Sequence, residues 1–275
     1  MHRLTDLPPI VQPPPHCENS AILATYSEWP VAAMTENAQK TVGVMGGMGP
    51  DATVDFMAKV IALTDSGSDQ DHVHMIVDQD PTVPNRQRAV REGLTDVTDA
   101  LGAMAKRLED AGADFLVMVC NTAHVFLDGV HANTSIPFIS IIDESISEID
   151  RVCPDARQVG VMATDGCLNT GIYQEAIVAS GREALVPEWV ALEQLMSLIT
   201  AIKAGNQGED IRQAMQASAN ALVDQGADVI IAGCTEIPIV FEGENCTVPV
   251  IGSTNVLAQR TLDLARGVQP LPEKH

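Results

Sequence analysis

Two cysteines stand out by their setting. GADFLVMVCNTAH runs from Gly112 to His124, and GADVIIAGCTEIP runs from Gly226 to Pro238. The Gly-Ala-Asp start recurs 114 positions later, a hydrophobic run follows, and Cys120 and Cys234 fall at the same place in each. A lone cysteine after a buried strand is most often an inert small hydrophobe. Two at equivalent positions, each followed by polar residues (Asn121-Thr122 and Thr235-Glu236), point to a shared task. Inverting a stereocentre by proton transfer needs a base on one face of the carbon and an acid on the other. Opposed thiols supply both: a thiolate removes the proton, and a thiol delivers one to the opposite face. An unperturbed thiol has a pKa of about 8.5, lowered near helix N-termini, and each cysteine here precedes a helix start or tight turn.

The elements that must carry these residues are legible around them. TVGVM (41–45) reads as a strand, GGMGP as a turn, and DATVDFMAKVIAL as a helix. HMIVDQ (74–79) is a second strand, and 94–111 is a helix with Val97, Leu101, Met104 and Leu108 on one stripe, capped at Gly112. FLVMV (115–119) and PFISII (137–142) read as buried strands. The chain then repeats itself. QVGVM (158–162) answers TVGVM, GADVIIAG answers GADFLVMV, and VPVIG (248–252) answers IPFIS (136–140), at offsets of 117, 114 and 112. A helix over 209–225 puts Ile211, Met215 and Leu222 on one face, before the second Gly-Ala-Asp. Strands alternating with amphipathic helices imply parallel sheets with right-handed crossovers. The fold class is α/β, with two pseudo-symmetric, doubly wound parallel-sheet domains and the active site between them. The first half spans 41–142 plus a returning helix within 253–267 and carries Cys120. The second spans 143–252 and carries Cys234. Residues 1–39 hold six prolines without a sustained period and read as an extended or disordered arm. In open α/β sheets ligands bind beyond the carboxyl ends of the strands, where both cysteines sit.

Bulk composition excludes several roles. The formal net charge is −21, from 37 acids against 16 bases in 275 residues. That argues against a nucleic-acid partner, which needs clustered Lys and Arg. No apolar run approaches the roughly 20 residues of a membrane span, and no basic-then-apolar leader opens the chain, so the expected setting is the cytoplasm. None of the six cysteines is spaced as C-x-x-C, which gives neither a disulfide framework nor a zinc site. His72 and His74 form an H-x-H pair at a strand entry and are not expected to hold a metal, since structural zinc usually takes four ligands.

GVMGGMGPDAT (43–53), VCNTAH (119–124) and GCTEIP (233–238) resemble the aspartate/glutamate racemase family, a cofactor-independent group that contains aspartate racemases. The resemblance spans about residues 41–266, and the ordered CNTAH and GCTE pair is its most specific part. It implies Cys120 and Cys234 as the two acid/base residues, each serving one enantiomer, with no cofactor, no metal and no pyridoxal phosphate. Met48 in the glycine-rich turn, Asn121, Thr122, Thr164 and Thr235 would hold the substrate amino acid, with Glu236 tuning Cys234. Arg86 and Lys203 fit the family's pattern for substrate carboxylates, and an arginine can grip a carboxylate through two parallel hydrogen bonds. A homodimer follows from the same resemblance. The chain departs from the pattern at Val119, where proline often stands, and in the ATDGC loop (163–167), which often reads like ATTGT. Asp165 there would oppose an acidic substrate unless it pairs with a loop amide or a cation, so the departure bears on substrate more than on reaction. Cys167 in that loop has no evident partner. Sister reactions on the same scaffold include hydantoin racemisation and maleate isomerisation. From another class, a two-lobed ligand-binding protein also places a small molecule between α/β halves, but needs no cysteine at each strand end.

Overall fold

The computed structural model describes residues 39–273; the arm expected over 1–39 lies, apart from Gln39, outside the described residues. Eight strands form two four-stranded, all-parallel sheets, ordered β2-β1-β3-β4 and β6-β5-β7-β8. The first holds β1 (Val42–Gly46), β2 (Met75–Gln79), β3 (Phe115–Met118) and β4 (Phe138–Ile139). The second holds β5 (Gln158–Met162), β6 (Glu183–Leu185), β7 (Val229–Ala232) and β8 (Val250–Gly252). The two sheets share one register. Val42 pairs with Phe115 and Val159 with Val229; Leu116 pairs with Phe138 and Ile230 with Val250. These pairs map onto one another through the sequence offsets of 117, 114 and 112.

The repeated Gly-Ala-Asp has a physical explanation. Helix α3 (Asp96–Asp110) and helix α9 (Glu209–Asp224) each end before a glycine of positive φ, Gly112 at 99° and Gly226 at 103°. That left-handed turn closes the helix, and the next amide reaches back to Leu108 O or Leu222 O, both at 3.1 Å. The alanine is buried. The aspartate then ties the next strand to its neighbour: Asp114 Oδ2 accepts from Thr41 N at 2.7 Å, and Asp228 Oδ2 from Gln158 N at 2.9 Å. Each motif ends a helix and sets the register of the strand that presents a cysteine.

Alternate strand residues face two sides, and both sides of the central strands are covered, so β3 and β7 are apolar throughout. Val42, Val44, Phe115 and Val117 share one continuous core with Val159, Val161, Val229 and Ile231. Helices α1 (Pro50–Leu63), α5 (Ile141–Val152), α7 (Ile172–Ala179) and α10 (Ser253–Ala265) complete it. Met45, Leu116 and Met118 pack outward beneath α3, and Met162, Ile230 and Ala232 beneath α8 (Trp189–Lys203) and α9. Helix α5 carries the chain into the second half. Helix α10 brings it back, packing on α1 and α5, with Lys40 N donating to Ala265 O at 2.9 Å.

Two expected boundaries change. The strand read over 137–142 stops at Ile139, because the Ser140 side chain accepts from Asp143 N at 3.2 Å and starts α5 at once. The ATDGC stretch is not a loop: Thr164 Oγ1 accepts from Cys167 N at 3.3 Å and caps the short helix α6 (Asp165–Asn169). Cys167 is therefore buried inside a helix.

Candidate active site

The carboxyl ends of β3 and β7 converge on one small cavity. Cys120 and Cys234 both line it. Met48, Arg86, Asn121, Thr122, Thr164, Lys203, Thr235 and Glu236 complete the set expected from sequence, and Gln87 is the one further lining residue. Gln87 follows Arg86 on the first turn of helix α2 (Arg86–Glu92), whose start is capped by the Asn85 side chain.

At the first cysteine, the chain passes from β3 into a 3₁₀ turn over Thr122–Phe126. The buried His124 holds this turn in place. Its Nε2 accepts from Ile141 N at 3.1 Å, which leaves Nδ1 to carry the proton and donate to Cys120 O at 2.9 Å. Burial pushes the His124 pKa down to about 4, against the pull of the Cys120 and Asn121 carbonyls, so the ring is neutral. Thr122 Oγ1 lies 2.8 Å from Thr164 Oγ1, a contact that crosses from one half to the other. The Asn121 amide is already engaged: Oδ1 accepts from the Tyr173 hydroxyl at 2.6 Å, and Nδ2 donates to Ser253 Oγ at 3.1 Å. Among the described residues the Cys120 thiol has no hydrogen-bond partner.

The second cysteine has a charged setting. Cys234 Sγ donates to Glu236 Oε2 at 3.1 Å. Lys203 Nζ stands 3.1 Å from the other oxygen, Oε1, as a charge contact rather than an aligned hydrogen bond. Burial pushes the Cys234 pKa well up, the Glu236 charge adds to it, and Lys203 pulls the other way. The form shown is thus the thiol, with its proton directed at a carboxylate. Burial disfavours the Lys203 charge, but negative charge at Glu236, and at the two cysteines when ionised, more than offsets it and raises its pKa. Gly49 in the glycine-rich turn admits this carboxylate from the opposite half, since a Cβ there would lie 3.0 Å from Glu236 Oε1.

Arg86 meets a geometry other than the one expected, whereas Asp165 takes the expected loop-amide partner. Arg86 does not present a free fork: Nη1 donates to the Val83 and Pro84 carbonyls at 3.0 and 2.9 Å, and Nη2 to Met48 O at 3.3 Å. It ties the glycine-rich turn to the VPNR segment and leaves a buried, unpartnered Nε–H. Asp165 accepts from the adjacent Gly166 N at 2.7 Å and does not line the cavity. His72 and His74 face different partners, the Ser66 and Thr41 hydroxyls. Among the described residues no group of three or more His, Cys, Asp and Glu could hold a metal ion. No helix there is long and apolar enough to cross a membrane.

The model of the Asp/Glu/Hydantoin racemase family matches residues 45–261. The chain is 30% identical over 226 residues to the broad specificity amino-acid racemase RacX of Bacillus subtilis, covering 80% of this chain and 96% of that protein. The fold is similar to that of Picrophilus torridus aspartate racemase, with a TM-score of 0.74 and 29% identity over 85% of this chain and 96% of that one. A more distant likeness, to allantoin racemase from Klebsiella pneumoniae, has a TM-score of 0.56 at 16% identity, covers 85% and 90% of the two chains, and concerns the fold alone.

Proposed function

The chain belongs to the Asp/Glu/Hydantoin racemase family, and we propose that it is a cofactor-independent racemase of aspartate or glutamate that moves protons between Cys120 and Cys234. The observation that carries this reading is the convergence of two thiols, from equivalent strand ends of two halves, on one cavity. With its Sγ 3.1 Å from Glu236 Oε2, Cys234 begins this direction as the thiol. From there Cys120, as thiolate, removes the Cα proton of one enantiomer, and the Cys234 thiol protonates the opposite face. The product leaves Cys120 as thiol and Cys234 as thiolate, with Lys203 offsetting the new charge beside Glu236. The reverse direction runs the same steps backwards. The enzyme acts on a free amino acid, as a homodimer in the cytoplasm.

A second reading, broad specificity, is favoured by one observation. Both lining cations are occupied, Arg86 by three backbone carbonyls and Lys203 by Glu236. A distal substrate carboxylate must displace one of them, whereas a neutral side chain need not. The likeness to a broad-specificity racemase points the same way. Single enantiomers of acidic, neutral and basic amino acids, each incubated with enzyme and followed by chiral chromatography, separate the two readings. Inversion confined to aspartate and glutamate supports the first, and comparable inversion of neutral amino acids supports the second. If no amino acid is inverted, both fail.

A further inference from the structure

Among the described residues, the largest fully buried side chain touches both cysteine loops. Tyr173, in the first turn of α7, is 0% exposed. Its hydroxyl donates to Asn121 Oδ1 at 2.6 Å, one residue after Cys120. Its ring lies against Gly233, one residue before Cys234, so closely that a Cβ there would fall 2.7 Å from Tyr173 Cε2. Behind them, Ser253 accepts from Asn121 Nδ2 and donates to Ala232 O at 2.9 Å, closing a buried path from the first loop to the end of β7. Asn121 belongs to the first half, whereas Tyr173 and Ala232 belong to the second. Contacts of this kind fix the separation of two groups that act on opposite faces of one atom, where an error of about 1 Å can cost 100-fold in rate.

We infer that Tyr173 is a positioning residue that sets Cys120 against Cys234. It acts through Asn121 and Gly233 and touches neither the reacting atoms nor the cavity. An ordinary core role would be served equally well by phenylalanine, because the ring already fills the space. The hydroxyl adds only the bond to Asn121, together with its contacts to the neighbouring Ser145 and Ser253 hydroxyls. This inference rests on the racemase reading for its kinetic arm, but it also predicts a change in thiol reactivity that needs no substrate.

The test is Tyr173→Phe, with Ser253→Ala as a second break in the same path and Phe56→Leu as a buried control on a helix that carries neither cysteine loop. Each is assayed in heavy water from both pure enantiomers of whichever amino acid the wild type inverts. Tyr173→Phe is expected to lower kcat about 10- to 100-fold. It should also place deuterium in recovered starting material for one enantiomer only, the one deprotonated by Cys234, since a displaced Cys120 delays delivery to the other face. Ser253→Ala should show the same sign, and Phe56→Leu should lower Tm without changing where deuterium appears. Independently of activity, iodoacetamide labelling of Cys120 should change several-fold in Tyr173→Phe while that of Cys246 stays constant. Unchanged kcat, or an activity loss that tracks Tm with no change in isotope position and no change in Cys120 labelling, overturns the inference. Absence of inversion in the wild type instead overturns the racemase reading and leaves the labelling result to decide the role of Tyr173.

Discussion

Two residues past the end-of-strand cysteine, the first loop has Thr122 and the second has Glu236; four past it, the first has His124 and the second Pro238. The sheets behind these loops superpose in register, pair for pair. The difference therefore lies in the side chains that surround the thiols. Thr122 spends its hydroxyl on Thr164 across the cleft, and His124 pins the first loop to the start of α5. Glu236 instead takes the Cys234 proton contact and draws in Lys203. A repeated fold thus presents two like thiols in unlike fields. The loop of one is held by neutral hydrogen bonds, while the other thiol meets a carboxylate that an ammonium flanks. On the proposed mechanism, this inequality would leave the resting proton on Cys234.

The largest expected effect comes from removing either thiol. Cys120→Ser and Cys234→Ser should each reduce inversion by at least about 1,000-fold, since a hydroxyl is a far weaker acid and its conjugate base is not available near neutral pH. Chiral chromatography after long incubation checks it, and substantial activity in either variant removes that cysteine from the mechanism.

Acid stability should separate the loops next. His124 is neutral in the folded protein, with its pKa lowered to about 4, and titrates near 6.5 when unfolded. The unfolded chain therefore binds the extra proton first. The contribution is fully present above about pH 6.5, is lost as pH falls towards 4, and amounts to about 3 kcal/mol across that window. Urea unfolding of wild type and His124→Gln from pH 7 to 4 should show curves that converge in acid. Parallel curves would mean that His124 titrates alike in the folded and unfolded chains.

A smaller effect is expected from the second loop's charges. Glu236→Gln removes a cause of the raised Cys234 pKa while Lys203 remains, so Cys234 should be alkylated faster at a fixed pH near 8, by about 10-fold. Lys203→Met should slow it. The same two substitutions should change Cys120 labelling less. Equal changes at both thiols would erase the distinction drawn between them.

The smallest effects test the symmetry itself. Asp114→Ala and Asp228→Ala remove equivalent, solvent-edge hydrogen bonds to the neighbouring strand and should each cost about 1 kcal/mol in urea unfolding. A clear inequality would show that one half depends on this tie more than the other.

Much of this arrangement is readable from residue order, and the exceptions have definite causes. The Gly-Ala-Asp repeat marks helix end, strand start and register because each of its three residues performs a backbone task that few others can. Both cysteines and their polar neighbours follow from that register. Ile141 and Ile142 continue the apolar run of PFISII, so the pattern extends β4 into α5; only the Ser140 cap separates them. Thr164 turns ATDGC into a helix start by the same device. Arg86 is found at the cavity, but the direction of its donors depends on the Val83, Pro84 and Met48 carbonyls, whose placement is tertiary. Tyr173 gives no signal at all. Nothing in GIYQEAIVA marks its hydroxyl as the partner of an asparagine 52 residues earlier.

The most direct test of two opposed thiols is the position of deuterium early in the reaction. One pure enantiomer of the amino acid that the enzyme inverts is incubated in heavy water, stopped at a few per cent conversion, and both enantiomers are separated and weighed by mass spectrometry. Proton removal by one cysteine and delivery by the other predicts deuterium at Cα in essentially every product molecule and almost none in recovered starting material, from either direction. Deuterium appearing equally in both enantiomers from the first time point would mean that a single group serves both faces, and would contradict the assignment of Cys120 and Cys234 as a pair.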